Sequence, residues 1–276
     1  MTTQRFERLF AALKAKNEGA FVPFVNLFDP NEDLSLEILE TLIAAGADAL
    51  ELGIPFSDPS ADGPVIMVSA NRALDAGSTT AKCLAIVKRL RERHPDVPMS
   101  IMLYANLVYA PGQEKFFAMC EEAGVDVVLI PDLPVEMREM DQSFDMAAAH
   151  HGLGLVSIAP PNARPEQLAL IAHVSKGYVY LLSRPGITGV NNPAHKPAEA
   201  VIEGLEKAGA APGLLGFGVS KPEHVRAALA SGAAGVIVGS AIVRIINEHF
   251  EEPEVMKEKI TEYVRGMKAA TLPPAK

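Results

Sequence analysis

Ala45-Gly46-Ala47-Asp48-Ala49-Leu50-Glu51-Leu52-Gly53 is a joint between two kinds of secondary structure. Gly46 can take the left-handed conformation that ends a helix, and the apolar run behind it, bounded by Pro55, reads as a buried parallel strand. The phrase recurs. Ala123-Gly124-Val125-Asp126 leads into Val127-Val128-Leu129-Ile130-Pro131-Asp132, and Ser231-Gly232-Ala233-Ala234 into Gly235-Val236-Ile237-Val238-Gly239-Ser240. Strand candidates at 21–26, 47–53, 98–104, 126–132, 153–159, 178–184, 213–218 and 235–240 bring the count to eight. Helical patterns separate them, such as Leu34, Leu36, Ile38, Leu39 and Leu42, or Leu168, Leu170, Ile171 and Val174. Eight strands alternating with helices in 276 residues predict an α/β fold, a closed (β/α)8 TIM-type barrel rather than an open sheet.

Two further helices flank that count. Phe6, Leu9, Phe10 and Leu13 form one stripe of an extra N-terminal helix that must dock on something, and Met256, Ile260, Tyr263, Val264 and Met267 form one face of an extra C-terminal helix, read as packing on the barrel exterior.

With 49% hydrophobic and 21% charged residues the chain can bury a full core, and no low-complexity linker divides it, so residues 1–276 read as one soluble globular domain. Cys83 and Cys120 lie in apolar helical patterns without CxxC spacing and read as buried thiols of a reducing cytoplasm. A net charge of −9 without a Lys/Arg cluster argues against nucleic acid or an anionic membrane as partner. The N-terminus has no signal-peptide pattern and no apolar run reaches membrane-spanning length, which gives a cytoplasmic expectation.

Within the second strand, side chains alternate: Leu50 and Leu52 share one face, Ala49 and Glu51 the other. If the leucines meet covering helices, Glu51 points the opposite way, where burial raises a carboxyl pKa toward neutrality. A Glu paired with a cation for structure alone fits the same pattern. The loop beyond, Pro55-Phe56-Ser57-Asp58-Pro59-Ser60-Ala61-Asp62-Gly63-Pro64, carries a second acid, and two carboxylates at one mouth suggest proton transfer. Barrel enzymes work at the C-terminal ends of their strands and often hold phosphate after strands seven and eight. There the chain has Gly216-Phe217-Gly218-Val219-Ser220 and Gly239-Ser240-Ala241, whose glycines suit an anion cradle as well as ordinary turns. The stretch Arg184-Pro185-Gly186-Ile187-Thr188-Gly189-Val190-Asn191-Asn192-Pro193, too long for a minimal turn, reads as a lid or as a surface loop. None of His94, His150, His151, His173, His195, His224 and His249 has ligand spacing, so no metal site is expected. Without a P-loop, GxGxxG or nucleophile elbow, acid/base chemistry is the economical reading.

Phe21-Val22-Pro23-Phe24, the run from Ala45 to Asp62, Tyr104-Ala105-Asn106, Asp132-Leu133-Pro134-Val135-Glu136, Pro160-Pro161-Asn162-Ala163, Tyr180-Leu181-Leu182-Ser183-Arg184 and the late glycine pairs resemble, in order, the tryptophan synthase α subunit family. The resemblance implies retro-aldol cleavage of indole-3-glycerol phosphate to indole and glyceraldehyde 3-phosphate. It implies Glu51 as catalytic acid/base, Asp62 as second carboxylate and Tyr180 beside the reacting group. Phe24, Met102 and Phe217 would line the indole pocket; Gly189, Gly218, Gly239 and Ser240 would hold phosphate; Arg184 and Thr188 would belong to the lid. Pro55, Ser57, Asp58 and Pro59 match the surface that meets a β subunit in an α2β2 complex, and pyridoxal phosphate would belong to that partner, leaving this chain without a cofactor. Asn26 stands where the family usually has Thr, Phe28 where Gly, Ser60 where Leu and Pro185 where Ser is common, so the bulk of Phe28 and the stiffness of Pro185 at the mouth are expected to alter partner coupling, lid kinetics or substrate fit. Without the resemblance, another phosphate-binding aldolase or isomerase, a stand-alone indole-releasing lyase or an idle binding subunit fits the same barrel.

Overall fold

The computed structural model describes residues 3–182 and 197–273. Its strands β1 (Ala20–Asn26), β2 (Leu50–Gly53), β3 (Met99–Met102), β4 (Val127–Leu129), β5 (Gly154–Ala159), β6 (Val179–Leu182), β7 (Gly213–Gly216) and β8 (Gly235–Val238) close a parallel barrel in chain order. β8 pairs back onto β1, with Ala20 opposite Gly235. Around it run α1 (Gln4–Lys16), α2 (Glu32–Ala45), α3 (Pro64–Asp75), α4 (Thr80–Arg93), α5 (Ala105–Tyr109), α6 (Gln113–Ala123), α7 (Val135–Met140), α8 (Ser143–His150), α9 (Pro165–Val174), α10 (Pro197–Lys207), α11 (Pro222–Ala230), α12 (Ser240–His249) and α13 (Pro253–Ala269). All eight expected strands are present, most of them shorter than the apolar runs suggested. Parallel strands buried on both faces read as continuous apolar runs, so the pattern marks a strand without marking where its ladder begins.

The joints behave as the glycines require. Gly46 and Gly124 cap α2 and α6 at φ 114° and 76°, a region open to glycine and costly for other residues. The aspartate that follows in two of the three joints is a clamp. Asp48 accepts the Phe21 amide at 2.7 Å and the Lys268 ammonium at 2.8 Å, tying β1 to α13. Asp126 accepts the Met99 amide, Arg5 and Arg91, each at 2.8 Å, tying β3 to α1 and α4.

Two apolar clusters follow from strand alternation. Phe21, Leu50, Leu52, Ile101 and Val128 pack outward against the helices, while Val22, Phe24, Ala49, Val127, Tyr178, Tyr180 and Ile237 fill the barrel interior. Phe6, Phe10 and Leu13 of α1 join the interior set, and the Phe6 and Tyr178 rings lie 5.3 Å apart. The N-terminal helix therefore plugs one end of the barrel. Phe6 is fully buried, so Phe6→Ala would cost about 3–5 kcal/mol. At the other flank Met256, Ile260, Val264 and Met267 of α13 are buried as expected, but Tyr263 does more than pack: its hydroxyl donates to the Ser220 carbonyl at 2.9 Å, bracing the loop after β7.

Candidate active site

Glu51 points into the barrel while its neighbours Leu50 and Leu52 join the outer core. Its side chain is 1% exposed, and Oε1 accepts a hydrogen bond from the Tyr178 hydroxyl at 2.6 Å. Ser100, opposite Glu51 on β3, lies 3.0 Å from the same hydroxyl. Oε2 has no hydrogen-bond partner among the described residues, and Glu51 lines the cavity at the C-terminal end of the barrel. Among the described residues no salt bridge reaches Glu51. Burial disfavours its charged form and outweighs the Tyr178 hydrogen bond, so the carboxyl is pushed up to about 7.

That cavity has a volume of about 60 Å3 and opens to solvent; its wall joins Glu51 and Asp62 to Phe24, Met102, Tyr180, Phe217, Gly218, Gly239 and Ser240. Asp62, in the loop after β2, is half-buried; desolvation raises its pKa and a hydrogen bond from Tyr104 opposes the rise. The Tyr104 hydroxyl also accepts the Ala61 amide at 3.0 Å, which fixes the loop around Asp62. Tyr180 stands close enough to both acids that their charges, after burial itself, lift its pKa well above the usual phenol value. Its ring lies against Gly216, where a Cβ would collide with the phenol.

Across the cavity, α12 begins at Ser240 with Gly239 supplying no side-chain cap, so its first turn presents backbone toward the cavity wall that Gly239, Ser240 and Ala241 form. Phe217 and Gly218 both take positive φ, 65° and 78°. A non-glycine residue held there is strained, and such strain concentrates at binding sites. An adjoining apolar hollow of about 300 Å3 shares Asp62, Met102, Tyr180 and Phe217 with the cavity and adds Leu129, Pro131, Ile158 and Leu182.

The structure thus gathers nine of the residues singled out in the sequence. Arg184, Pro185, Thr188 and Gly189 lie outside the described residues. In the loop after β2, Ser57 and Asp58 are exposed and hydrogen-bond to each other, Pro59 is half-buried, and Pro55 is buried beneath them. The expected bulk of Phe28 at the mouth is not found. Its backbone turns left-handed at φ 70°, its amide donates to Ser35 Oγ at 2.9 Å, and its ring is buried in the outer core. Asn26 is also withdrawn, donating to Ser69 Oγ at 3.0 Å and the Ile66 carbonyl at 3.2 Å. Tyr178, Leu129 and Ile158 were not anticipated. Alternation would have found Tyr178, two residues before Tyr180 and so on the same inward face.

Comparison with known proteins agrees with this arrangement. The family model described as "Tryptophan synthase alpha chain" matches residues 10–272. A tryptophan synthase alpha chain of Klebsiella pneumoniae subsp. pneumoniae is 50% identical over 268 residues, 97% of this chain and 98% of the relative. The solved alpha subunit of Legionella pneumophila superposes with a TM-score of 0.86 at 29% identity, covering 97% of this chain and 98% of that one. A chain of the tryptophan synthase α2β2 complex of Pyrococcus furiosus does so at 0.80 and 36% identity, covering 91% and 98%. With the family model matched over residues 10–272 and half of the residues shared with a relative over nearly its whole length, the chain belongs to the tryptophan synthase alpha chain family.

Proposed function

We propose that the chain, acting as one barrel unit, cleaves indole-3-glycerol phosphate to indole and glyceraldehyde 3-phosphate, with Glu51 moving the protons. The carrying observation is that Glu51 and Asp62 line one cavity with the glycine elements of β7 and β8. Retro-aldol cleavage needs a proton delivered to indole C3 and another removed from the side-chain hydroxyl; the C–C bond then breaks to give the aldehyde. A carboxyl near 7 can donate the first and, as carboxylate, accept the second, ending as it began. Protonation at C3 places positive charge on the ring N–H. Asp62, whose charged form Tyr104 supports, would accept a charge-assisted hydrogen bond from it. Tyr178 acts as a positioning residue, holding Oε1 so that Oε2 faces the substrate.

The apolar hollow around Met102, Leu129, Ile158 and Phe217 suits the indole ring, and Phe24 closes the floor near Glu51. The phosphate would sit at the first turn of α12, on amides of Gly239 and Ser240, with Gly218 alongside. The reaction needs no cofactor from this chain. By analogy with the α2β2 complex of the Pyrococcus furiosus relative, the exposed Ser57–Asp58 turn would meet a β subunit, the holder of pyridoxal phosphate, and pass it indole in the cytoplasm.

Glu51→Gln in purified protein is the test. Indole release from indole-3-glycerol phosphate should fall by roughly 10²-fold to 10⁴-fold with the fold intact. Turnover unchanged by that substitution would end the mechanism. Copurification with a pyridoxal-containing chain supports the complex; full activity of the lone chain, unaltered by a β subunit, counts against it.

A further inference from the structure

On the outer surface, α6 and the end of α8 bring together four side chains that the active site does not use. His150 Nδ1 lies 3.0 Å and His151 Nε2 lies 3.2 Å from the same carboxylate oxygen of Glu114, Oε2. The three donor atoms lie within 4.8 Å of one another. On its other edge, His151 Nδ1 meets Glu121 Oε2 at 2.8 Å. Glu114 and Glu121 stand seven residues apart, on one face of α6.

We propose that His150 Nδ1, His151 Nε2 and a carboxylate oxygen of Glu114 form a binding site for one divalent transition-metal ion of the zinc class. Two imidazoles and a carboxylate are a donor set that suits zinc, copper, nickel and cobalt ions and disfavours magnesium and calcium, which want oxygen alone. Donors about 2.0–2.2 Å from zinc in a tetrahedron stand a little over 3 Å apart, and the separations of the two imidazole nitrogens from Glu114 Oε2, 3.0 and 3.2 Å, are close to that. Water completes the shell. It has access, because His150 and Glu114 are exposed while only His151 is mostly covered.

Glu121 is the second, independent sign. Metal-bound histidines typically give their remaining N–H to a carboxylate, which fixes the tautomer and aims the free lone pair. A hydrogen bond from Nδ1 to Glu121 does that for His151, leaving Nε2 for the ion. In the metal-free chain a carboxylate stands at each ring nitrogen of His151. A histidine must be unprotonated at the nitrogen that binds a metal, so protons compete with zinc and binding weakens as pH falls. The consequence is a staple between α6 and α8, the helices that precede β4 and β5. Spacing along the chain concealed it, since Glu114 lies 36 residues from His150.

The test is calorimetric titration of the untagged, chelator-stripped full chain with zinc sulfate at pH 7.5 and pH 5.5. The expected result is one zinc ion per chain, bound at least tenfold more weakly at the lower pH. His150→Ala and Glu114→Gln should each weaken it tenfold or more, and Glu121→Gln about tenfold through the lost orientation of His151. Excess magnesium should not compete. Zinc should raise the melting temperature of the parent chain and not of His150→Ala, whose exposed position leaves the metal-free fold unchanged. No zinc uptake, equal affinity in His150→Ala, or displacement by magnesium would each overturn the site.

Discussion

Two pairs of carboxylates at opposite ends of the barrel are treated in opposite ways; Asp29, just beyond β1, is matched by Arg72 and stands outside that contrast. At the end where strands begin, Asp48 and Asp126 each accept a backbone amide and a cationic side chain, and Asp126 holds two arginines. At the end where strands finish, and among the described residues, Glu51 has one neutral phenol and an oxygen left without a partner, and Asp62 has a phenol as well. Charge that is matched fixes elements to one another. Charge left unmatched keeps a proton within reach of neutrality, at a cost in stability, and that is useful only where a substrate must exchange protons. The division follows the general asymmetry of such barrels, stability at one face and chemistry at the other.

The contrast breaks most sharply if the two kinds of acid are neutralised in turn. Glu51→Gln should remove roughly 10²-fold to 10⁴-fold of indole release while leaving a folded barrel, read by steady-state turnover and circular dichroism. Asp126→Asn should do the reverse. It removes the charge partner of Arg91, whose side chain is 12% exposed and keeps only carbonyl hydrogen bonds, and should cost about 3 kcal/mol in urea unfolding with turnover per folded molecule retained. Between pH 4.5 and 7 the native Glu51 carboxyl keeps a proton that the unfolded chain has released, so stability falls as pH rises through that window. The loss approaches about 3 kcal/mol above pH 7, because each pH unit separating the folded and unfolded midpoints contributes roughly 1.4 kcal/mol. Glu51→Gln should therefore be the more stable protein at pH 8, with the gap closing toward pH 5 in paired denaturant titrations. Tyr178→Phe removes a hydrogen bond that favours the charged form of Glu51, so the limb of the pH–rate profile set by Glu51 should move up by about 1 pH unit or more. At the small end, the Lys88–Glu122 pair is open to water, and Glu122→Gln should leave the thermal midpoint unchanged.

Much of the barrel was legible because apolar runs and left-handed glycines report on local geometry. The limits came from the same source. Asp48 and Asp126 read as strand residues because a buried run conceals the point where pairing starts, and only the fold supplies Lys268, Arg5 and Arg91 from 220, 121 and 35 residues away. Glu51 was legible from alternation alone, Asp62 through its motif, and Gly218, Gly239 and Ser240 from their place after the last two strands. Phe28 misled because a bulky residue in a loop after a strand suggests the mouth, whereas its positive φ sends the ring into the helix layer. Leu129 and Ile158 carried no signal, since an apolar residue facing a hollow looks in sequence like one facing the core.

The protonation midpoint of the Glu51 carboxyl bears most directly on whether an unmatched acid was built into this barrel. Carboxyl carbon chemical shifts of the 13C-Glu-labelled chain, with Glu51→Gln identifying the resonance, should show that group titrating near 7. A midpoint in the ordinary range near 4.5 would mean that water or a partner already matches the charge, and Glu51 would then be a structural acid like Asp126.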